Sequence, residues 1–315
     1  HRISVTLNHI NQIKYIFMKT FFLLLGIASL NTCNTNKQNS SETSETKSVE
    51  YRDVTTDSKT NGSLIIEDKQ PITESKVATV NSSLNNITVK DTILNNIQSK
   101  ITSASYDAFA KRNTSKLDEL KKLLSQNNEG NNSLFNYWIA YINYYKTIVS
   151  MQTKDKVKGL ETNKKSIQLL EQNKNKNSDD YALLVLSKGL SFTFVSGMDA
   201  ALISKDISNY LEDGFKLDNS NLRLYYAQGS LDFYTPKEYG GGKKVEEALL
   251  KAISLQDKNI GKSNLPTWGK EESYELLIRF YLANNQKEEA SKQYKEIKKY
   301  YPNSYIINMY KSKLE

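Results

Sequence analysis

The sequence predicts an all-α protein of antiparallel helical hairpins stacked side by side. Three observations predict it. Apolar residues recur at three-to-four spacing from about residue 86 onward, beginning with Ile93, Ile97, Ile101 and Ala108, which is the period of a helix with one buried face. Clusters of turn-forming residues at 127–132, 173–178 and 218–221, with Gly197 between them, interrupt that period at helix-length intervals. No apolar–polar alternation flanked by turn signals occurs, which argues against a sheet. Only 4 Pro and 13 Gly in 315 residues, with 38% hydrophobic and 25% charged residues, suit a helical chain of one or two domains.

The front of the chain reads differently. Residues 1–17 contain no methionine and are expected to be an over-extended start or a non-native segment. Met18-Lys19-Thr20, the apolar run Phe21 to Leu30 and then Asn31-Thr32-Cys33 have the layout of a secretory signal, 18–32. The run is about half the ~20 residues that a membrane-spanning helix needs. Leu30-Asn31-Thr32-Cys33 resembles a bacterial lipoprotein box, with Thr32 where a smaller residue is usual. The resemblance implies lipidation of Cys33 and a membrane anchor in the cell envelope, on the periplasmic side of the outer membrane. Residues 34–85 are rich in Asn, Ser, Thr, Lys and Glu and nearly free of aromatics. Such a segment buries too little apolar surface to offset its ordering entropy, so 33–85 is expected to be a disordered tether.

Residues 86–315 are expected to form the helical repeat domain. Leu117, Leu120, Leu123 and Leu124 follow Thr114, a candidate N-cap. Phe135 to Tyr145, Leu160 to Leu170, Tyr181 to Phe194 and Ile203 to Leu217 continue the period, for ten or eleven helices in all. The last pair carries Tyr274, Leu277, Tyr281, Ala290, Tyr294 and Pro302. These offsets resemble the tetratricopeptide repeat, in which aromatic and Leu positions of a first helix meet Ala and an aromatic on the second, and proline stops the second helix. One repeat earlier, Ala227, Val245, Leu249 and Ala252 take equivalent positions. A third copy ends in Ile207, Leu211, Gly214 and Asn219. Stacked hairpins need small residues where two axes approach to ~8–10 Å, and they need a polar cap at the end. Residues 304–314 are the expected cap of this tetratricopeptide-like domain. Asp232-Phe233-Tyr234-Thr235-Pro236 with Gly240-Gly241-Gly242, and Pro266-Thr267-Trp268-Gly269, further resemble an envelope tetratricopeptide family of Bacteroidetes without assigned chemistry.

Composition narrows the functional classes. The single Cys excludes an internal disulfide framework and a Cys-based zinc cluster. Both His residues, His1 and His9, precede Met18, so a chain begun there has no histidine base or ligand. Neither a metal nor a cofactor is expected, and no catalytic constellation is recognisable. The formal charge of +8 falls to +5 once residues 1–32 are set aside, and basic residues alternate with acids, as in Lys270-Glu271-Glu272. That is solvated helix surface rather than a nucleic-acid stripe. Gly240-Gly241-Gly242-Lys243-Lys244 lacks the spacing and hydroxyl of a phosphate loop and reads as an interhelix turn. Aromatics crowd two helices, at Tyr137, Trp138, Tyr141, Tyr144 and Tyr145 and at Tyr225, Tyr226, Phe233 and Tyr234. Most are expected to be knobs between helices, the rest a shelf on the inner curve.

The tetratricopeptide resemblance implies that first helices line that curve. Carried onto this chain, it implies a binding row of Asn143, Lys146, Gln228, Asp232, Glu275 and Arg279, suited to a protein or peptide partner. The expected function is therefore a non-enzymatic adaptor. The alternatives are a structural subunit of an outer-membrane assembly and a solenoid that binds or transforms a small ligand.

Overall fold

The computed structural model describes residues 92–315. Cys33 and the expected signal and tether segments lie outside the described residues. Eleven α-helices lie wholly within the described residues, after a helical stretch at 92–94: α1 (Ile97–Lys111), α2 (Ser115–Gln126), α3 (Ser133–Gln152), α4 (Lys156–Glu171), α5 (Ser178–Ser191), α6 (Met198–Leu217), α7 (Leu222–Tyr234), α8 (Val245–Ser254), α9 (Lys270–Ala283), α10 (Lys287–Tyr300) and α11 (Tyr305–Leu314). A 3₁₀ turn, Lys237–Tyr239, precedes α8, and no strand occurs among these residues.

Side-chain caps set several of the starts. Asn132 accepts from the backbone N–H of Leu134 and Phe135, Asp155 from Lys158, and Asn221 from Arg223. Asn177 and Asp180 form a reciprocal capping box at the head of α5. Each such cap contributes ~1 kcal/mol by satisfying donors that the helix cannot. Thr114 does hold the N-cap position of α2, but its side chain caps nothing. Its hydroxyl donates instead to Asp118 Oδ2 at 2.8 Å.

Consecutive helices pair as five hairpins, α1–α2 through α9–α10, and α11 packs on α10. First helices also pack on first helices, α1 on α3, α3 on α5, α5 on α7 and α7 on α9. This is the stacking of a helical solenoid. The residues read as repeat positions sit at its contacts: Ala227, Val245, Leu249, Ala252, Leu277 and Ala290 have no exposed surface, and Tyr274, Tyr281 and Tyr294 are buried. Pro302 is exposed in the turn that ends α10. At Gly214 a Cβ would lie 2.7 Å from Leu224 Cδ2, and at Gly229 2.7 Å from Leu249. Both glycines are there because the facing leucine takes the space.

Two features depart from plain hairpin stacking. Hydroxyls and amides run through the core between α3, α4 and α5. Thr147 meets Thr162 at 2.9 Å, Ser166 meets Ser187 at 3.0 Å, and Asn163 donates to Ser191 at 2.8 Å. The second is the long connection 255–269 between α8 and α9, which leaves the hairpin edge and crosses to the first helices.

Candidate functional site

The inner curve is lined by first helices, and its middle is aromatic. Trp268, at the end of the 255–269 connection, stacks on Tyr141 of α3 with centroids 6.1 Å apart and 13° between planes. It meets Tyr226 of α7 edge-on at 5.9 Å, and its Nε1 donates to Tyr137 Oη at 2.8 Å. Trp138 Nε1 donates to the Asn264 carbonyl at 2.9 Å, and Thr267 N–H to Gln98 Oε1 on α1 at 2.7 Å. Tyr106 of α1 lies 6.1 Å from Tyr305 of α11. The first and last helices therefore meet across the curve, and the connection fills the part between α1 and α7.

Beyond Trp268 the surface continues on α7 and α9. The Arg279 guanidinium lies 4.9 Å from the Phe233 ring centre and 5.8 Å from that of Tyr234. Its Nη1 donates to Tyr234 Oη at 3.0 Å. Such stacking on two rings holds a long, flexible cation in one plane. Glu275 lies 3.8 Å from Arg279 Nε and accepts from Tyr310 Oη at 2.9 Å. Tyr144, Tyr226, Phe233 and Tyr234 are half-buried, and burial pushes the hydroxyls of the three tyrosines up, so these residues line a recess rather than an open face.

Glu272 stands between these two regions. Its Oε2 accepts the Gly269 N–H at 2.7 Å, the one half of a capping box that a glycine N-cap allows, at a residue with φ of 110°. Some of its surface is open to water, yet groups from several helices surround it. Tyr106, Tyr145, Tyr226 and Tyr305 all lie within electrostatic range, as do Glu271 and the more favourable Arg223. Burial, and then the Glu271 charge, push its carboxyl up to about 7. Burial likewise pushes Asp180 up to about 6.

The sign of the consequence follows from linkage. A carboxyl raised in the folded state is held protonated by folding, so stability falls as pH rises from the unfolded value toward the folded one. For Glu272 this is a loss of roughly 3 kcal/mol across pH 4.5 to 7, at ~1.4 kcal/mol per pKa unit. Glu272→Gln keeps an acceptor for Gly269, so at pH 8 its melting temperature is expected to exceed the parent's, with little difference at pH 5. Parallel pH–stability curves for the two proteins would refute this.

The binding row implied by the tetratricopeptide resemblance is dispersed. Asn143 and Lys146 are buried against α2, not on the curve: Lys146 pairs with Asp118, and Asn143 accepts from Lys121 Nζ at 3.1 Å. On α3 the tyrosines take the inner face and the polar residues face the neighbouring helix. Asp232 is half-buried and closes the α7–α8 turn by accepting the Lys244 N–H, while its carbonyl accepts from Gly242. In that turn a Cβ on Gly241 would stand 1.9 Å from the Thr235 carbonyl oxygen, so the glycines serve a tight crossing. Gln228 is half-buried on α7. Glu275 and Arg279 alone of the six meet, and Glu275 is buried. Glu272 was missed, although Gly269-x-x-Glu272 has capping-box spacing.

A second concavity of about 240 Å³ lies at the heads of α5 and α7. Its centre is Arg223, bonded to Asp179 at 2.6 Å and Asp257 at 3.1 Å, with Asn259 bridging to Asp179 at 3.1 Å and to the Pro266 carbonyl at 2.8 Å. These groups answer one another, and the network ties the 255–269 connection to two helix starts. No group of metal-ligating side chains occurs among the described residues, and none of their helices is long and apolar enough to cross a membrane. No protein-family model, curated protein or solved structure matches this chain, so the fold and the aromatic curve rest on its own residues.

Proposed function

We propose that this chain is a non-catalytic tetratricopeptide-type adaptor of the cell envelope, anchored through a lipid on Cys33, that holds a peptide or protein segment on its inner curve. The observation that carries the reading is the half-buried row of Tyr226, Phe233 and Tyr234 with Arg279 laid across two of the rings. Aromatic and Arg side chains held in fixed rotamers bind at low entropic cost and dominate interface energies. Because Trp268 occupies the curve between α1 and α7, the segment it accommodates is short and lies along α7 and α9. A solenoid for a small ligand is the second reading, favoured by the convergence of Glu272, Glu275 and Arg279 among tyrosines.

A photo-crosslinking residue at Gln228, in cells, is expected to capture a discrete polypeptide that the same residue at Lys292 does not. Equal capture at both positions would sink the adaptor. Capture of no polypeptide, with small molecules raising the melting temperature, would replace it with the second reading. Cys33→Ser is expected to convert membrane association that only detergent releases into association that high salt releases.

A further inference from the structure

The turns that join first to second helices lie along one edge of the solenoid, and the first three adjoin. Lys158 Nζ of α4 is 3.5 Å from Thr114 Oγ1 in the α1–α2 turn. Thr193 Oγ1 in the α5–α6 turn is 4.0 Å from Met151 Sδ, and the Phe194 ring lies against Gly159, 3.0 Å from where a Cβ would stand. This corner exposes large apolar side chains: Val157 is 82% exposed, Met198 81% and Leu202 58%, with Phe192 at the edge of exposure. Val157 and Met198 keep four-fifths of their area, so little of the chain packs against either.

Basic residues flank these side chains. Residues 107–116 and 152–158 together hold six Lys and Arg against two Asp. Asp107 is taken up by Lys111 and Lys116, and Asp155 caps α4 by accepting the Lys158 N–H. Arg112, Lys154, Lys156 and Lys158 are exposed and make no ion pair among the described residues. Two acids oppose the trend: Asp199, beside Met198, and Asp118, which accepts from Thr114 in the α1–α2 turn and lies within electrostatic range of Lys158. Exposed apolar groups ringed by long cationic stems fit an interface with hydrocarbon below and phosphate above, because the stems reach the headgroups while the apolar groups enter. A protein partner would need a matching cavity for each exposed side chain; fluid lipid does not.

We propose that this corner is a lipid-contacting tip, in which Val157, Phe192, Met198 and Leu202 enter a bilayer whose anionic headgroups meet Arg112, Lys154, Lys156 and Lys158. It is independent of lipidation at Cys33 and of the inner curve. Its geometry would set the solenoid edge-on to the membrane.

The test uses the full chain carrying Cys33→Ser, so that no acyl group contributes, and flotation with two kinds of vesicle. One is phosphatidylglycerol with phosphatidylethanolamine, the other phosphatidylcholine alone. Relative to this parent, Val157→Asp with Met198→Asp is expected to weaken binding to anionic vesicles at least tenfold. Lys154→Gln, Lys156→Gln and Lys158→Gln together are expected to weaken it on anionic vesicles only, by about fivefold per lysine. All five positions are exposed, and circular dichroism checks that the variants stay folded. Binding to anionic vesicles that is equal for parent and variants overturns the proposal. So does a parent that self-associates in ultracentrifugation and is made monomeric by Met198→Asp, since the corner would then be a contact between copies.

Discussion

Arg223→Met is expected to lower the unfolding free energy by about 3–5 kcal/mol, among the largest effects of any single change in this chain. The reason is what it leaves behind. Arg223, Asp179 and Asp257 are 3%, 16% and 4% exposed as side chains, so removing the cation strands two carboxylates in poor solvent. Asn259 cannot compensate, because its amide already serves Asp179 and the Pro266 carbonyl. Urea denaturation followed by circular dichroism measures the change. Adding Asp257→Asn to Arg223→Met is expected to recover part of the loss, since one stranded charge is removed. A single-variant loss below about 1 kcal/mol would mean that water reaches the network and screens it.

Trp268→Ala is expected to cost about 3–5 kcal/mol and to open the inner curve. Trp268 is 3% exposed and touches helices of separate hairpins. Truncation leaves a void beside Tyr141 and Tyr226 and takes the donor from Tyr137 Oη. Trp268→Phe separates the two contributions, because it keeps much of the ring and loses the hydrogen bond, for a cost nearer 1 kcal/mol. The chain has 2 tryptophans, so Trp138 remains as a fluorescent reporter of the variant's core. Its indole also depends on the connection, through the Asn264 carbonyl. An unshifted Trp138 emission in Trp268→Ala would show that 255–269 stays seated without its anchor, contrary to this account.

Much of the fold was legible because helix period and turn residues are local signals. Asn132, Asn177 and Asn221, within the turn clusters, start helices by reaching two or three residues along the chain, and Ala227, Ala252 and Ala290 mark contacts by their size alone. The site was less legible for a reason visible in α3. That helix is buried round most of its circumference, so its apolar period does not say which face looks inward. Asn143 and Lys146 are polar, which suggests surface, yet they meet Lys121 and Asp118 of a neighbouring helix. The 255–269 connection was invisible in a different way. Nothing in its residues tells which distant side chains they will reach, because those partners lie up to 169 positions away. The elevated carboxyl of Glu272 depends on that same crossing, since the rings around it come from helices at both ends of the domain.

The crossing also changes what kind of object the solenoid is. A linear repeat array opens from its ends, each hairpin held only by its neighbours, and its unfolding need not be all-or-none. Here the bonds from 98 to 267 and from 138 to 264 turn the stack into a closed circuit. Fraying at the first hairpin must release the connection before α9, and fraying at the last must release α1. Amide protection is therefore expected to be level across the hairpins instead of tapering outward. Refolding should be slow for a helical domain, because contacts this distant in sequence form only after most of the intervening chain is ordered.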